Sequence, residues 1–264
     1  MDGTHAEATT PLLSISGARA TIRLNRPAVH NRIEPADLLM LGEHFAAIEA
    51  NPAIRVMVLT GTGKSFSSGY HLGDMAERPG AEVTAREDAP SFEGVASALE
   101  NLRVPTICRL NGGVYGGSTD LALCCDFRIG VDTAEMFMPA ARLGLHYYPS
   151  GMLRYVSRLG LNAAKKLFLT AEKILAPEML AIGYLTEMLP AAELDARVDA
   201  LAERLAAMAP LAVQGVKRSL NEIARQEFDV QGALDRAKAS QASEDLQEGL
   251  KAFREKRAPV FKGR

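Results

Sequence analysis

The chain holds only three cysteines, and two of them, Cys124 and Cys125, are adjacent. That is too few for a disulfide framework, and their apolar neighbours predict buried free thiols, as in a reducing compartment. No CxxC or HxxxH spacing occurs, so the pattern offers no zinc site and no metal is expected. Charge of one sign is lacking as well: 30 Lys and Arg against 32 Asp and Glu leave a net charge of −2. Nothing in that balance asks for nucleic acid. No apolar run approaches the roughly 18 residues of a membrane span. The opening MDGTHAEATT has neither the basic start nor the apolar core of a signal peptide. The expectation is a cytoplasmic protein with no membrane or nucleic-acid partner. Internal repeats and low-complexity segments are also missing.

What is present is an ordinary globular composition, 47% hydrophobic and 23% charged over 264 residues. That is enough chain for one large core, or one core with an appendage. Residues 1–10 read as a disordered lead. Leu12–Ile15 and Ala20–Leu24 are short strand candidates around Ser16-Gly17-Ala18, a hairpin pattern. Between 34 and 50, Leu38, Leu41, Phe45 and Ile48 recur at helical spacing. Ile54–Leu59 is a β-branched run of buried-strand type. The following Thr60-Gly61-Thr62-Gly63-Lys64-Ser65 imitates a phosphate-binding loop, but Val58 stands where that motif requires glycine. Residues 66–90 read as a long irregular loop, of a length that is often functional, and a helix follows at about 91–101. Two strand-then-helix units in series, with long crossovers, predict parallel strands.

Pro105–Leu110 is the next strand, and Asn111–Asp120 (NGGVYGGSTD) turns it through four glycines into a helix. Such a turn leaves backbone N–H groups at the positive end of the helix, suited to developing negative charge. Glycine there lets a ligand approach the backbone. Asp120 lies three residues after Gly117, which predicts that its carboxylate shares a face with that glycine. Phe127–Val131 is a further strand. From about residue 150 the pattern turns helical to the end. One helix, at 192–208, carries Leu194, Val198, Leu201, Leu205 and Met208; another, from Ser243, carries Leu246, Leu250 and Phe253. Sheet first and helices last gives the α/β class with a helical appendage, the boundary falling near 200–210.

Three stretches carry a resemblance. Residues 111–122 are similar to the NG-x-x-x-GGG-x-E-LA signature of the enoyl-CoA hydratase/isomerase (crotonase) superfamily. Residues 66–75, FSSGYHLGDM, resemble its F-x-AG-x-DL-x-x-M loop, and residues 243–261 resemble its C-terminal S-x-D-x-x-EG-x-x-AF-x-EKR-x-P-x-F. The resemblance implies a crotonase-like spiral of ββα units over residues 11–205 and a C-terminal helical trimerisation region over 206–264. It implies a homotrimer or a dimer of trimers, acting on an acyl-CoA thioester. No cofactor is implied, since coenzyme A is part of the substrate. The backbone N–H groups of Tyr70 and Gly117 would bind the thioester oxygen as it becomes an enolate. Ser68, Gly69, Leu72, Gly116 and Ala140 would line the substrate site, with part of the 73–100 segment along the acyl group. His30 falls on the stretch beside the nucleotide part of coenzyme A, and Lys262 on a lysine that reaches one of its phosphates.

The chain departs from the family at three points. Asp120 stands in for the first catalytic glutamate, one methylene shorter. Ala140 occupies the place of the second, and alanine moves no proton. Ser118 replaces the third glycine. Asp120 is therefore the expected acid/base group, with Tyr147, Tyr148 and His71 as further candidates and His146 beside them. Three readings stay open. The default is an enoyl-CoA hydratase, a lyase. The second is a decarboxylase of the methylmalonyl-CoA type or an isomerase, since loss of CO₂ itself generates the enolate. The third is an acyl-CoA-binding subunit without chemistry.

Overall fold

The computed structural model describes residues 9–71, 73 and 90–264. Strands β1 (Leu12–Ser16) and β2 (Arg19–Leu24) form the expected antiparallel hairpin. A helix, α1 (Pro35–Ala50), then buries Leu38, Leu41, Phe45 and Ile48, the four apolar positions expected from spacing. It opens on a reciprocal cap: the Glu34 side chain takes the Asp37 N–H while the Asp37 carboxylate takes the Glu34 N–H. Strand β3 (Val56–Gly61) is buried along its whole length, between β2 and β4 (Thr106–Leu110), parallel to both. The strand begins two residues later than Ile54, because the Ile54 N–H closes a turn onto Asn51. Helix α2 (Phe92–Asn101), capped by the Ser91 hydroxyl, leads into β4.

After β4 come β5 (Val114–Tyr115), helix α3 (Gly117–Leu123), β6 (Phe127–Val131) and β7 (Glu135–Phe137). Helices α4 (Pro149–Leu159) and α5 (Leu161–Lys165) follow, then β8 (Ile174–Leu175), α6 (Ala176–Ala181) and β9 (Glu187–Leu189). The last four helices are α7 (Ala191–Ala206), α8 (Pro210–Ala224), α9 (Val230–Gln241) and α10 (Glu244–Glu255). Among the described residues, the main sheet has the order β1-β2-β3-β4-β6-β9, and β5-β7-β8 form a second, smaller sheet. Every pairing in the main sheet beyond the hairpin is parallel, as the long crossovers require.

The region after residue 150 is not wholly helical. Strand β9 extends the main sheet beyond β6, and β8 closes the small one. Two- and three-residue strands carry too few side chains to show a period, so pairing alone reveals them. Helix α7 lies across β3, β4 and β6 and buries Leu194, Val198 and Leu201. Met208, expected on that face, lies beyond the helix end and is exposed. The apolar positions of the last helices also face outward: Leu220, Ile223, Leu234, Leu250 and Phe253 are all exposed. No described helix is long and apolar enough to cross a membrane.

Candidate active site

Two segments meet where β3 and β4 end. After β3 the chain runs through bends rather than a helix, which rules out the phosphate-loop pattern. Asn31 secures this loop: its side-chain amide donates to the carbonyls of Thr62, Ser65 and Phe66 at 2.8, 2.9 and 3.1 Å. The Phe66 ring is fully buried beneath it. The Tyr115 N–H donates to the Ser67 carbonyl at 3.0 Å, and the Ile33 N–H to that of Gly69 at 2.9 Å. Gly69 has φ +97°, and a Cβ there would lie 2.8 Å from the Tyr115 carbonyl oxygen and 3.5 Å from the Gly117 nitrogen. Only glycine allows that approach. Gly116, with φ 55° and ψ −135°, then turns the chain into α3.

Ser118 has a local reason to differ from glycine. Its hydroxyl lies 2.6 Å from that of Ser67, and both side chains are completely buried. Ser67 Oγ donates to the Asn31 carbonyl at 2.7 Å and accepts the Gly69 N–H at 3.2 Å. With its proton committed to Asn31, Ser67 accepts from Ser118. The hydroxyl pair ties the loop to the helix.

Beside this junction is a cavity of about 460 Å³, lined by Ser68, Gly69, Tyr70, Gly116, Gly117 and Ala140, among others. Phe92 is its aromatic wall, 5.7 Å from the Tyr70 ring and 6.2 Å from that of Tyr148 between centroids. A Cβ on Gly117 would sit 3.0 Å from the Phe92 ring, so α2 presses against the start of α3. Ala140 is nearly fully buried in the wall. Tyr147 and Tyr148 complete it, their rings stacked at 4.2 Å.

Asp120 differs from expectation. It is fully buried and not among the described lining residues; Tyr148 is. The cause is α4, which packs against α3 and carries Arg154. Arg154 Nη1 donates to both Asp120 oxygens, at 2.8 and 3.1 Å. The Tyr148 hydroxyl donates to Asp120 Oδ2 at 2.5 Å, and the Tyr147 hydroxyl to that of Tyr148 at 3.1 Å. Behind Arg154, Glu100 pairs at 3.2 Å and is itself held by Arg158 and Arg225 at 3.0 and 3.4 Å. Burial pushes the Asp120 carboxyl above its ordinary range, while Arg154 and the Tyr148 hydrogen bond pull it back. Burial, then the Asp120 charge, pushes both tyrosine hydroxyls well above theirs. The hydroxyls therefore stay protonated, and the chain of donors runs from Tyr147 through Tyr148 to Asp120.

The remaining candidates divide. His71 is not among the described lining residues; its Nδ1 lies 3.3 Å from Glu34 Oε2. His30 is exposed, its Nδ1 2.9 Å from the Ser65 hydroxyl. The Ser68 hydroxyl donates to the Val29 carbonyl at 3.0 Å. Lys262 is exposed in the C-terminal segment and not among the described lining residues, with its backbone N–H on Asp245. Leu72 lies outside the described residues. His146 lines the rim of the cavity, its Nδ1 2.8 Å from the Tyr147 carbonyl. A carbonyl only accepts, so Nδ1 carries the proton of the neutral ring and Nε2 keeps its lone pair.

Sequence reasoning passed over Arg154, Phe92 and Glu93. Glu93 lines the cavity, and its Oε1 accepts the Ser150 N–H at 3.2 Å. Nothing in a helical period marks the polar residue of a first turn, so Glu93 had no signal. Arg154 had a weak one: an arginine among the apolar positions of a helix asks for a buried partner.

The sequence profile of the enoyl-CoA hydratase/isomerase family matches residues 14–264. A crotonyl-CoA hydratase of Syntrophomonas wolfei is 32% identical over 251 residues, covering 92% of this chain and 94% of the relative. A carnitinyl-CoA dehydratase of Escherichia coli K12 is 34% identical, covering 96% and 98%. Among solved structures, an enoyl-CoA hydratase/carnithine racemase from Magnetospirillum magneticum superposes with a TM-score of 0.88 at 26% identity, covering 98% of each chain. The fold, the glycine junction and these likenesses agree: the chain belongs to the enoyl-CoA hydratase/isomerase family.

Proposed function

We propose that this enzyme adds water to, or removes it from, an enoyl thioester of coenzyme A. The backbone N–H groups of Tyr70 and Gly117 would hold the thioester oxygen as it gains charge. The observation that carries the reading is that Gly69, Tyr70, Gly116 and Gly117 line one cavity, packed so closely that a Cβ on Gly69 would lie 3.5 Å from the Gly117 nitrogen. Donors aimed at charge that exists only in the transition state lower the barrier, and one is worth about 3–4 kcal/mol. Phe92 and Ala140 would flank the acyl group. Ser68 lines the cavity; His30, Leu72 and the exposed Lys262 are proposed for coenzyme A on resemblance alone. No further cofactor is proposed. The exposed apolar faces of α8–α10 suit the homotrimer or dimer of trimers expected of such a chain.

Asp120 has the least geometric support as the acid/base group, since Arg154 and Tyr148 occupy its oxygens. Its role in this reading is to orient Tyr148 and, through it, Tyr147. Both tyrosines line the cavity. Decarboxylation remains the second reading, favoured by Ala140: a wall without a carboxylate there repels an anionic acyl group less. The test is turnover of crotonyl-CoA and methylmalonyl-CoA by the purified protein, with Ala140→Glu in parallel. Rapid hydration by wild type supports the reading. Hydration gained only in Ala140→Glu, with CO₂ released by wild type, would decide for the decarboxylase. Binding of both thioesters with no reaction would make the chain a binding subunit.

A further inference from the structure

Among the described residues lining the cavity there is one carboxylate, and it is neither of those the family motifs mark. Ala140 has none to offer, and Asp120 is fully buried in contact with Arg154. Glu93, in the first turn of α2, is half-buried at the wall. Its neighbour Phe92 packs within 3.0 Å of where a Gly117 Cβ would be, so Glu93 is one residue from the wall that touches the glycine junction. Its Oε1 accepts the Ser150 N–H at 3.2 Å, at the start of α4, which keeps the side chain from swinging into solvent. That bond occupies one lone pair of one oxygen and leaves Oε2 available.

The other polar groups of the wall suit proton transfer less well. Tyr148 donates to Asp120, and a phenolate there would be buried against a carboxylate. His146 keeps a basic Nε2 but is exposed at the rim.

We infer that Glu93 is the acid/base residue of this enzyme, taking the place of the carboxylate absent at Ala140. The inference rests on the enolate reading above. In the hydration direction, the Glu93 carboxylate takes a proton from water as the water oxygen bonds to Cβ. The C=C π pair moves to Cα and the thioester oxygen becomes the enolate oxygen held by the backbone donors. Glu93 then returns the same proton to Cα as the enolate collapses. One O–H and one π bond break, one C–O and one C–H bond form, and the carboxylate is regenerated. The single carboxylate places both additions on one face of the double bond.

Two reactions test it on wild type, Glu93→Gln and His146→Gln. One is hydration of crotonyl-CoA. The other is exchange of the Cα protons of butyryl-CoA in D₂O, followed by NMR, which needs a base and an oxyanion site but no water addition. Glutamine keeps an oxygen for the Ser150 N–H, so a purely structural Glu93 predicts little change in rate. The expected result is a loss of 100-fold or more in both reactions for Glu93→Gln, in line with the usual worth of a positioned base. KM and Tm should stay near those of wild type. Both rates kept in Glu93→Gln, or lost only in His146→Gln, would overturn the inference while leaving the enolate reading intact. Exchange without hydration in wild type would sink the hydratase reading, and the exchange arm would still judge Glu93. Neither reaction in wild type would overturn both.

Discussion

Replacing Arg154 by methionine isolates the buried charge network behind the cavity. Arg154 and Asp120 have side-chain exposures of 2% and 0%, and Glu100 beside them has 8%. Methionine fills much the same space but leaves Asp120, among the described hydrogen bonds, with the Tyr148 hydroxyl and the more distant Arg158 charge in support. Glu100 keeps Arg158 and Arg225, so the damage centres on Asp120. Removing one partner of a buried pair costs about 3–5 kcal/mol. At roughly 2–4 °C per kcal/mol for a chain of this size, Tm should fall on the order of 10 °C. The effect has a pH signature. Burial already raises the Asp120 carboxyl above its ordinary value, and without Arg154 it should rise further. A carboxyl whose folded pKa lies above its unfolded pKa binds more protons when folded, so stability falls as pH rises between the two. The variant should therefore differ least from wild type at or below about pH 4, the unfolded carboxyl range, and most at neutral pH. Urea unfolding at pH 4 and pH 7.5 measures this, and adding Asp120→Asn to Arg154→Met should recover much of the loss at pH 7.5. A neutral-pH cost below about 1 kcal/mol, the range of an exposed pair, would refute the claim that the pair is buried and interdependent.

Gly69→Ala places a Cβ 2.8 Å from the Tyr115 carbonyl at a backbone angle that disfavours side chains, so the loop must shift. Crotonyl-CoA turnover should drop about 10²–10³-fold, the worth of one displaced oxyanion donor; a wild-type kcat would separate the loop from catalysis. Ser118→Gly removes the hydroxyl bridge to Ser67 and adds backbone freedom to α3. It should cost about 1 kcal/mol for the hydrogen bond and a similar amount for the glycine. A urea midpoint equal to or above wild type would show that Ser118 merely fills space. Tyr148→Phe leaves Asp120 without its hydroxyl donor, a loss of about 1–3 kcal/mol by chemical denaturation; unchanged stability would mean that another group takes over the bond.

The site was legible where chemistry is written in backbone needs. Gly116 and Gly117 stood out in the turn itself and Gly69 in the family resemblance, and in the fold a Cβ on Gly69 would lie 3.5 Å from the Gly117 nitrogen. Helix α1 was legible for a similar reason, since four apolar residues at helical spacing have one face to bury. A spacing of three fixes the face of Asp120 relative to Gly117 but says nothing of what packs there. Arg154, thirty-four residues on, decides that. Strands β8 and β9 escaped notice because two or three residues have no period, and their existence depends on partners far along the chain. Leu250 and Phe253 were read correctly as a helical stripe, yet they lie exposed on this single chain. The pattern encodes a face to be covered, not which surface covers it.

The central claim is that main-chain N–H groups at the glycine junction polarise a thioester carbonyl. Vibrational difference spectroscopy of crotonyl-CoA bound to the protein measures this directly. Bound to wild type, the thioester carbonyl stretch should move to lower frequency than in solution. Gly69→Ala displaces one donor, because its Cβ would lie 2.8 Å from the Tyr115 carbonyl oxygen and the loop carrying the Tyr70 N–H must shift. If the account holds, that variant still binds the thioester and its carbonyl stretch returns most of the way to the solution value. A full shift retained in Gly69→Ala, or no shift in wild type with the ligand bound, would contradict it.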